Sequence, residues 1–168
     1  CHSVLTSGGT IILPKKIRLT RELLNLVTKY DCNALATPPS VLSSILRLSS
    51  DEIDLLSSRI CRIQTGAMRF DISFRKRLLS EFPSTRIFLH YGLSEAMRVT
   101  FFELNANVKK IHTEGPASKN VAIKIFDDDG KALSKNTEGL IGVKGDNLCL
   151  GYLDEKLWQS HLNNGYFI

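Results

Sequence analysis

Arg86-Ile87-Phe88-Leu89-His90-Tyr91-Gly92-Leu93-Ser94-Glu95-Ala96 passes from an extended apolar run to a polar loop at a single glycine. Arg86 to Tyr91 follows Pro83, reads as a strand, and is broken by Gly92. What lies upstream decides which kind of strand it is. Asp71 or Ser73 starts a helix in which Phe74, Leu78 and Phe82 recur every four residues. Before that, Arg59 to Thr65, with Ile60 and Ile63 apolar, reads as a strand ending at Gly66. Pro38 and Pro39 suit the first turn of another helix, lined by Val41, Leu42, Ile45, Leu46 and Leu48. Asp51 is placed to cap a short helix after the break at Ser49-Ser50. Asn33 to Ala36 is a short strand. Thr20 caps a helix reaching about Tyr30, with Glu22 in its first turn and Leu23, Leu24, Leu26 and Val27 on the 3.6-residue period. Strand, helix, strand, helix, strand is the order of a parallel sheet with crossover helices. At the chain start, Gly8-Gly9 is a turn signal, and Thr10 to Leu13 before Pro14 reads as a further strand.

After Met97 the pattern changes. Val99 to Leu104, Val121 to Phe126 and Leu140 to Val143 read as short strands, and Asp127-Asp128-Asp129-Gly130 is a hairpin turn between them. A helix is expected from Asp154 to about Leu162, and Asn163-Asn164-Gly165 turns into a strand at Tyr166-Phe167-Ile168. The expected fold class is therefore α/β. A partial parallel sheet with crossover helices occupies residues 1–97, and part of an antiparallel β-barrel-like region occupies residues 98–168.

The bulk composition agrees with a packed domain. The chain has 168 residues, 43% of them apolar and 23% charged. A chain of this size buries about 70% of the surface its unfolded form exposes, which excludes disorder as the main state. The formal charge is +5, and the densest basic cluster, Arg75-Lys76-Arg77, reads as the solvated face of a helix. Nucleic-acid binding asks for a concentrated basic stripe and interleaved aromatics, so no nucleic-acid partner is expected. Cys1, Cys32, Cys61 and Cys149 form no C-x-x-C pair. Cys32 and Cys61 are expected to be buried thiols in or beside apolar runs. No run approaches 18 apolar residues and no leader pattern opens the chain, so a cytoplasmic, reducing location without a transmembrane segment is expected. The chain opens on Cys1, and its methionines are Met68 and Met97, so it reads as a piece of something longer.

Three stretches carry candidate chemistry. Ligands of open α/β sheets bind at the carboxyl ends of the strands, where His90 to Ala96 falls. There a glycine permits close backbone approach, a hydroxyl can meet a phosphate, a carboxylate can hold Mg2+, and Tyr91 offers a face for a base. A strand end with a tight turn and a capped helix would use the same residues. Thr65-Gly66-Ala67 also follows a strand, and adjacent parallel strands would set both loops on one rim. Glu138-Gly139-Leu140-Ile141-Gly142-Val143-Lys144-Gly145, followed by Gly151-Tyr152, carries glycines suited to sharp strand bends. Trp158 at helical spacing with Leu157 and His161 reads as core, His112 and His161 as exposed, and Arg98 as a surface ion-pair partner.

In this order and spacing the stretches resemble the adenylate-forming superfamily of acyl-CoA synthetases, luciferases and peptide-synthetase adenylation domains, the AMP-dependent synthetases and ligases. Tyr91-Gly92-Leu93-Ser94-Glu95 is similar to its Y-G-x-[ST]-E motif, and Thr65-Gly66-Ala67 to its small-residue adenine loop. Glu138 to Tyr152 resembles its later glycine-rich motif, Glu114-Gly115-Pro116 the G-x-P step, and Asn164-Gly165-Tyr166-Phe167 the start of its G-[WY]-[FY]-x-T-G-D motif. Thr37-Pro38 stands where the family has a V-P-[ST] helix start. The resemblance implies that Tyr91 stacks on adenine, and that Gly66 and Ala67 give adenine backbone contacts and line the acyl pocket. It further implies that Gly92 belongs to the nucleotide site, that Ser94 meets the α-phosphate and that Glu95 holds Mg2+. Ser94 and Glu95 are then the catalytic candidates, with His90, Leu93 and Ala96 as local members of the substrate pocket.

The implied activity joins a carboxylic acid to AMP from ATP and passes the acyl group to a thiol, coenzyme A or a carrier protein. The expected setting is fatty acid metabolism. Leu140 stands where the family has Glu, and Lys119-Asn120 replaces a Pro-Gly turn. The family's phosphate loop and catalytic lid fall outside these residues, so the 168 residues alone are expected to be inactive. A non-catalytic adenylation-like binding module, and a basic interaction domain, are the alternatives.

Overall fold

The computed structural model of the chain describes residues 2–14, 20–66 and 71–168. Cys1 and Ala67 therefore lie outside the described residues. Among the described residues are two four-stranded sheets, with strand orders β1-β2-β3-β4 and β5-β6-β8-β7.

The first sheet comprises β1 (Ala34–Ala36), β2 (Arg62–Gly66), β3 (Arg86–Tyr91) and β4 (Thr100–Glu103). β1, β2 and β3 run parallel, as expected, with Ile63 opposite Ile87 and Gly66 opposite His90. Their crossovers are α3 (Pro39–Ile45) with α4 (Ser50–Arg59), and α5 (Ile72–Glu81). α2 (Thr20–Lys29) precedes β1, and a short helix α1 (His2–Thr6) opens the chain. Alternate strand residues Ile63, Ile87, Leu89 and Phe102 point into one core with Leu23, Val27, Leu42, Ile45, Ile53, Leu56, Leu78 and Phe82 of the helices. The other face follows the opposite alternation and is polar and aromatic. The Phe88 and Phe101 rings stack at 5.4 Å, the Arg62 guanidinium lies 4.2 Å over Phe88, and Arg86 makes two bonds to Glu103 at 3.1 and 2.7 Å.

Several local expectations change. β4, grouped by sequence with the antiparallel part, pairs antiparallel with β3 and extends the first sheet. Thr10 to Leu13 is not a strand. It has no neighbouring strand among the described residues, and β-propensity without a partner edge fixes nothing. Ser49, rather than Asp51, stands at the start of α4, where the Glu52 carboxylate accepts from the Ser49 amide at 3.1 Å and hydroxyl at 2.9 Å. That helix runs on to Arg59, so β2 starts three residues later than the apolar pattern suggests. Cys61 is exposed rather than buried, and its thiol lies 3.2 Å from the Asn33 carbonyl.

Arg75 is not on a solvated face. It is 2% exposed, donates to the carbonyls of Ile111 at 2.9 Å and Thr113 at 2.5 Å, and pairs with Glu114. Its neighbour Arg77 donates to the Leu46 carbonyl and faces Glu81 at 3.5 Å. Arg75 and Arg77 fasten α5 to the segments around it, while Lys76 between them is exposed.

The second sheet comprises β5 (Val121–Phe126), β6 (Leu140–Gly145), β7 (Leu162–Asn163) and β8 (Tyr166–Phe167). It is antiparallel throughout and open rather than closed into a barrel. α6 (Glu155–Ser160) precedes β7, with the Asp154 carboxylate accepting from the Lys156 and Leu157 amides. β7 and β8 are joined by Asn164 and Gly165 at φ +50° and +77°, the two positive values a tight two-residue hairpin requires. Trp158 is buried as expected, stacked 5.0 Å from Phe167.

Candidate functional site

The loop Gly92 to Met97 leaves β3 and lies between the two sheets. Gly92 is required there, because a side-chain carbon on it would stand 2.8 Å from the Arg98 amide nitrogen and 2.9 Å from the Ala96 carbonyl. Leu93 and Ala96 close the turn by exchanging backbone bonds of 2.9 and 3.3 Å. Arg98 then takes φ +55°, which redirects the chain into β4. At the loop's start the Tyr91 amide donates to the Thr100 hydroxyl at 3.1 Å.

The second unit grips the loop from the far side. Ala96 and Leu148 form an antiparallel bridge. The Cys149 amide donates to the Glu95 carbonyl at 2.7 Å, and the Asn147 side chain donates to the Met97 carbonyl at 3.1 Å. Ala96, Val99 and Val143 are fully buried together, with Tyr91, Val121, Ile123 and Leu148 packed around them. The loop is thus a rigid part of an interface between two sheets, the kind of support that fixes a site's geometry.

These contacts place the candidate residues. Tyr91 and Glu95 are half-buried, whereas Leu93 and Ser94 are exposed on the same turn. Gly66 lies beside His90 across the β2–β3 pairing, so the carboxyl ends of β2 and β3 share one rim. A side chain at Gly66 would run into the His90 carbonyl and ring, so glycine here is first a packing requirement of this chain. Ala96 faces the small buried cluster just described, away from the exposed turn. Arg98 forms no ion pair among the described residues; its guanidinium lies 5.1 Å over the Phe101 ring. Two surface clefts, one lined by Asp54, Ser57 and Pro83 and the other by Asp128, His161 and Leu162, do not include these residues.

The electrostatics centre on Glu95. The Tyr152 hydroxyl donates to its Oε1 at 2.5 Å. That bond, helped by the residue's own amide and the nearby His161, holds the carboxyl below the usual carboxylate range. The same bond, with burial, pushes the Tyr152 phenol up to about 12. Glu95 is therefore an anion at neutral pH and Tyr152 a neutral donor. Burial holds the His90 imidazole below its usual value, and the Arg98 guanidinium adds to the effect, so His90 is uncharged there. Its Nδ1 and the Thr65 hydroxyl are buried without a hydrogen-bond partner, and both lie at the shared rim.

One carboxylate oxygen of Glu95 is taken by Tyr152, which leaves the other as a hard oxygen donor. Mg2+ commonly takes one or two carboxylates together with phosphate oxygens, so this donor fits that ion. The sequence alone did not single out Tyr152 for this part. It is 57 residues from Glu95, and only its position after Gly151 in a glycine-rich stretch marked it.

The family model of an AMP-binding enzyme matches residues 1–153. A 4-coumarate-CoA ligase from Narcissus pseudonarcissus is 30% identical over 157 residues, covering 89% of this chain and 28% of that protein. A D-alanine–D-alanyl carrier protein ligase from Bacillus licheniformis is 28% identical over 161 residues, covering 92% of this chain and 32% of its own length. Among solved structures, the o-succinylbenzoate coenzyme A synthetase of Bacillus subtilis, in complex with ATP and magnesium ion, superposes with a TM-score of 0.77 at 19% identity. The match covers 95% of this chain and 32% of that one. The chain thus spans about a third of the length of these proteins.

Proposed function

The chain belongs to the AMP-binding enzyme family, and from that premise we propose that the protein carrying it activates a carboxylic acid with Mg-ATP and passes the acyl group to a thiol. The observation that carries the reading is Glu95, a half-buried anion at the carboxyl end of β3 with one oxygen held by Tyr152 and the other available. Around it stand the parts such a reaction needs. Tyr91 presents a half-buried ring for adenine, and the exposed Ser94 hydroxyl stands one residue before Glu95, available to an α-phosphate. The backbone of Gly66 borders the same rim, as do the neutral His90 and the exposed Leu93, which we assign to the acyl side.

In the proposed reaction a carboxylate oxygen of the acid attacks the α-phosphorus. The new O–P bond forms as the bond to the bridging oxygen breaks, and pyrophosphate leaves. A thiol, losing its proton to solvent, then attacks the acyl carbonyl; the C–S bond forms as the bond to the AMP oxygen breaks, and AMP leaves. Two anions must meet at phosphorus, so charge has to be absorbed as they approach. Glu95 would hold Mg2+, which would supply that neutralisation when bound, and Ser94 would orient the phosphate. The uncharged His90 avoids tying up the substrate carboxylate in an ion pair. We assign coenzyme A as the acceptor, which the likeness to a 4-coumarate-CoA ligase favours over a carrier protein. The relatives named above are ligases of 4-coumarate and D-alanine, and neither acid is a fatty acid.

ATP–pyrophosphate exchange in the full-length protein tests the reading. Glu95→Ala is expected to lower exchange about 100-fold, the usual scale for a group that absorbs transition-state charge. The 168 residues by themselves are expected to give none, since they span about a third of related ligases. Unchanged exchange in Glu95→Ala would turn the assignment toward a non-catalytic binding module.

A further inference from the structure

Tyr152 is placed with unusual completeness for a half-buried side chain at a loop. Its ring meets Trp158 edge-on at 5.3 Å, and His161 and Phe167 edge-on at 6.3 Å each. Trp158 and Phe167 are in turn buried and stacked on each other. The hydroxyl at the end of this aromatic mount reaches across from the second unit to Glu95 on the first. Backbone bonds on both sides of the carboxylate, from Cys149 to the Glu95 carbonyl and across the Ala96–Leu148 bridge, fix the two chains that carry the pair.

A glutamate on a loop ordinarily samples several rotamers. Each one lost on metal binding costs entropy, and a side chain already fixed has less to lose. The Tyr152 hydroxyl also occupies one carboxylate oxygen, so it decides which oxygen remains free. We propose that Tyr152 is a positioning residue for the metal: it holds Glu95 so that a single, fixed carboxylate oxygen is presented to Mg2+, and it does so from the other structural unit. The inference rests on the assignment of Glu95 as the metal-holding carboxylate. It adds a residue whose task is to aim that ligand, as the outer partners of metal ligands do elsewhere.

Tyr152→Phe tests this directly, because it removes the hydroxyl and keeps the ring that Trp158, His161 and Phe167 pack against. The measurement is Mn2+ binding to the full-length protein in the presence of a non-hydrolysable ATP analogue, followed by the loss of the free Mn2+ paramagnetic resonance signal. Tyr152→Phe is expected to weaken Mn2+ about tenfold, the lower end for loss of such a partner. Glu95→Gln, measured alongside, is expected to weaken it further. If Glu95→Gln loses Mn2+ and Tyr152→Phe binds it as the parent does, the positioning role is overturned and the role of Glu95 stands. If both bind Mn2+ as the parent does, Glu95 is no ligand and the functional assignment falls with it. A lower melting temperature in Tyr152→Phe with unchanged Mn2+ affinity would show a structural role only, and overturns the proposal. A second measurement needs no variant. In protein carrying ring-labelled tyrosine, the Tyr152 carbon resonance next to oxygen is expected to shift when Mg2+ and the analogue are added, and an unmoved resonance overturns the proposal as well.

Discussion

Arg75 carries a full positive charge into a place water scarcely reaches, and the chain arranges three oxygens to receive it. The carbonyls of Ile111 and Thr113 and the Glu114 carboxylate all accept from one guanidinium, which fastens α5 to the segment entering the second unit. A planar fork of donors suits that task, whereas a lysine ammonium does not reproduce it. Arg75→Met is expected to cost about 2 kcal/mol, since it removes the charged donor shared by two half-buried carbonyls and a carboxylate. Urea unfolding at equilibrium would measure it, and Arg75→Lys is expected to recover only part of the loss. From the sequence this arginine was one of three consecutive basic residues, and nothing local separates a buried fork from a solvated one. Tyr152 was hidden for the same reason. Its partner is far along the chain, and only tertiary packing brings the two together.

At the scale of elements, the Asp71 cap of α5 is clearly written in the sequence, whereas that of α4 falls on Ser49 rather than Asp51. Asp71 precedes α5, and its carboxylate accepts from the Ser73 hydroxyl and the Phe74 amide, both at 2.6 Å. The Ser73 hydroxyl chiefly, and then the Phe74 amide, hold this carboxyl below its ordinary 3.8. A carboxyl depressed in the folded state adds stability above its unfolded value, and that stability is lost as pH falls through the folded value. Asp71→Asn is therefore expected to melt below the parent at neutral pH. The gap should close as pH falls below 3.8, and thermal melts across that range would show it. β5 matches its expected span because its pattern and its turn, Asp127 to Gly130, agree. β3 matches for the same reason, bounded by Pro83 upstream and Gly92 downstream. Thr10 to Leu13 has the composition of a strand and lacks a partner strand among the described residues, and Leu13 stands largely exposed. β4 has clear strand character, yet its allegiance to β3 depends on the reversal at Arg98, a left-handed residue that no propensity announces.

For the whole molecule, the interface between the sheets sets behaviour. Bonds from Cys149 to Glu95, Asn147 to Met97 and Ser118 to Val99 cross it, and the Ala96, Val99 and Val143 cluster fills it. Units coupled this closely are expected to unfold together. Trp158, the single tryptophan of the 168 residues, sits in the second unit, whereas α2 to α5 lie in the first. In urea, tryptophan fluorescence and far-ultraviolet circular dichroism are expected to trace one coincident transition. Two separated midpoints would mean that the sheets are independent.

The strand order β1-β2-β3-β4 follows the order of the chain itself. During synthesis, β2, β3 and β4 would each leave the ribosome to find the neighbouring edge already in place, with no gap among the four held open for a later arrival. The candidate site does not share that advantage. Glu95 emerges 57 residues ahead of Tyr152, so a nascent chain passes through a stage with its first sheet formed and the Glu95 carboxylate not yet bonded to Tyr152. Translation pauses or early stop codons within that interval would yield a folded sheet bearing an untethered glutamate.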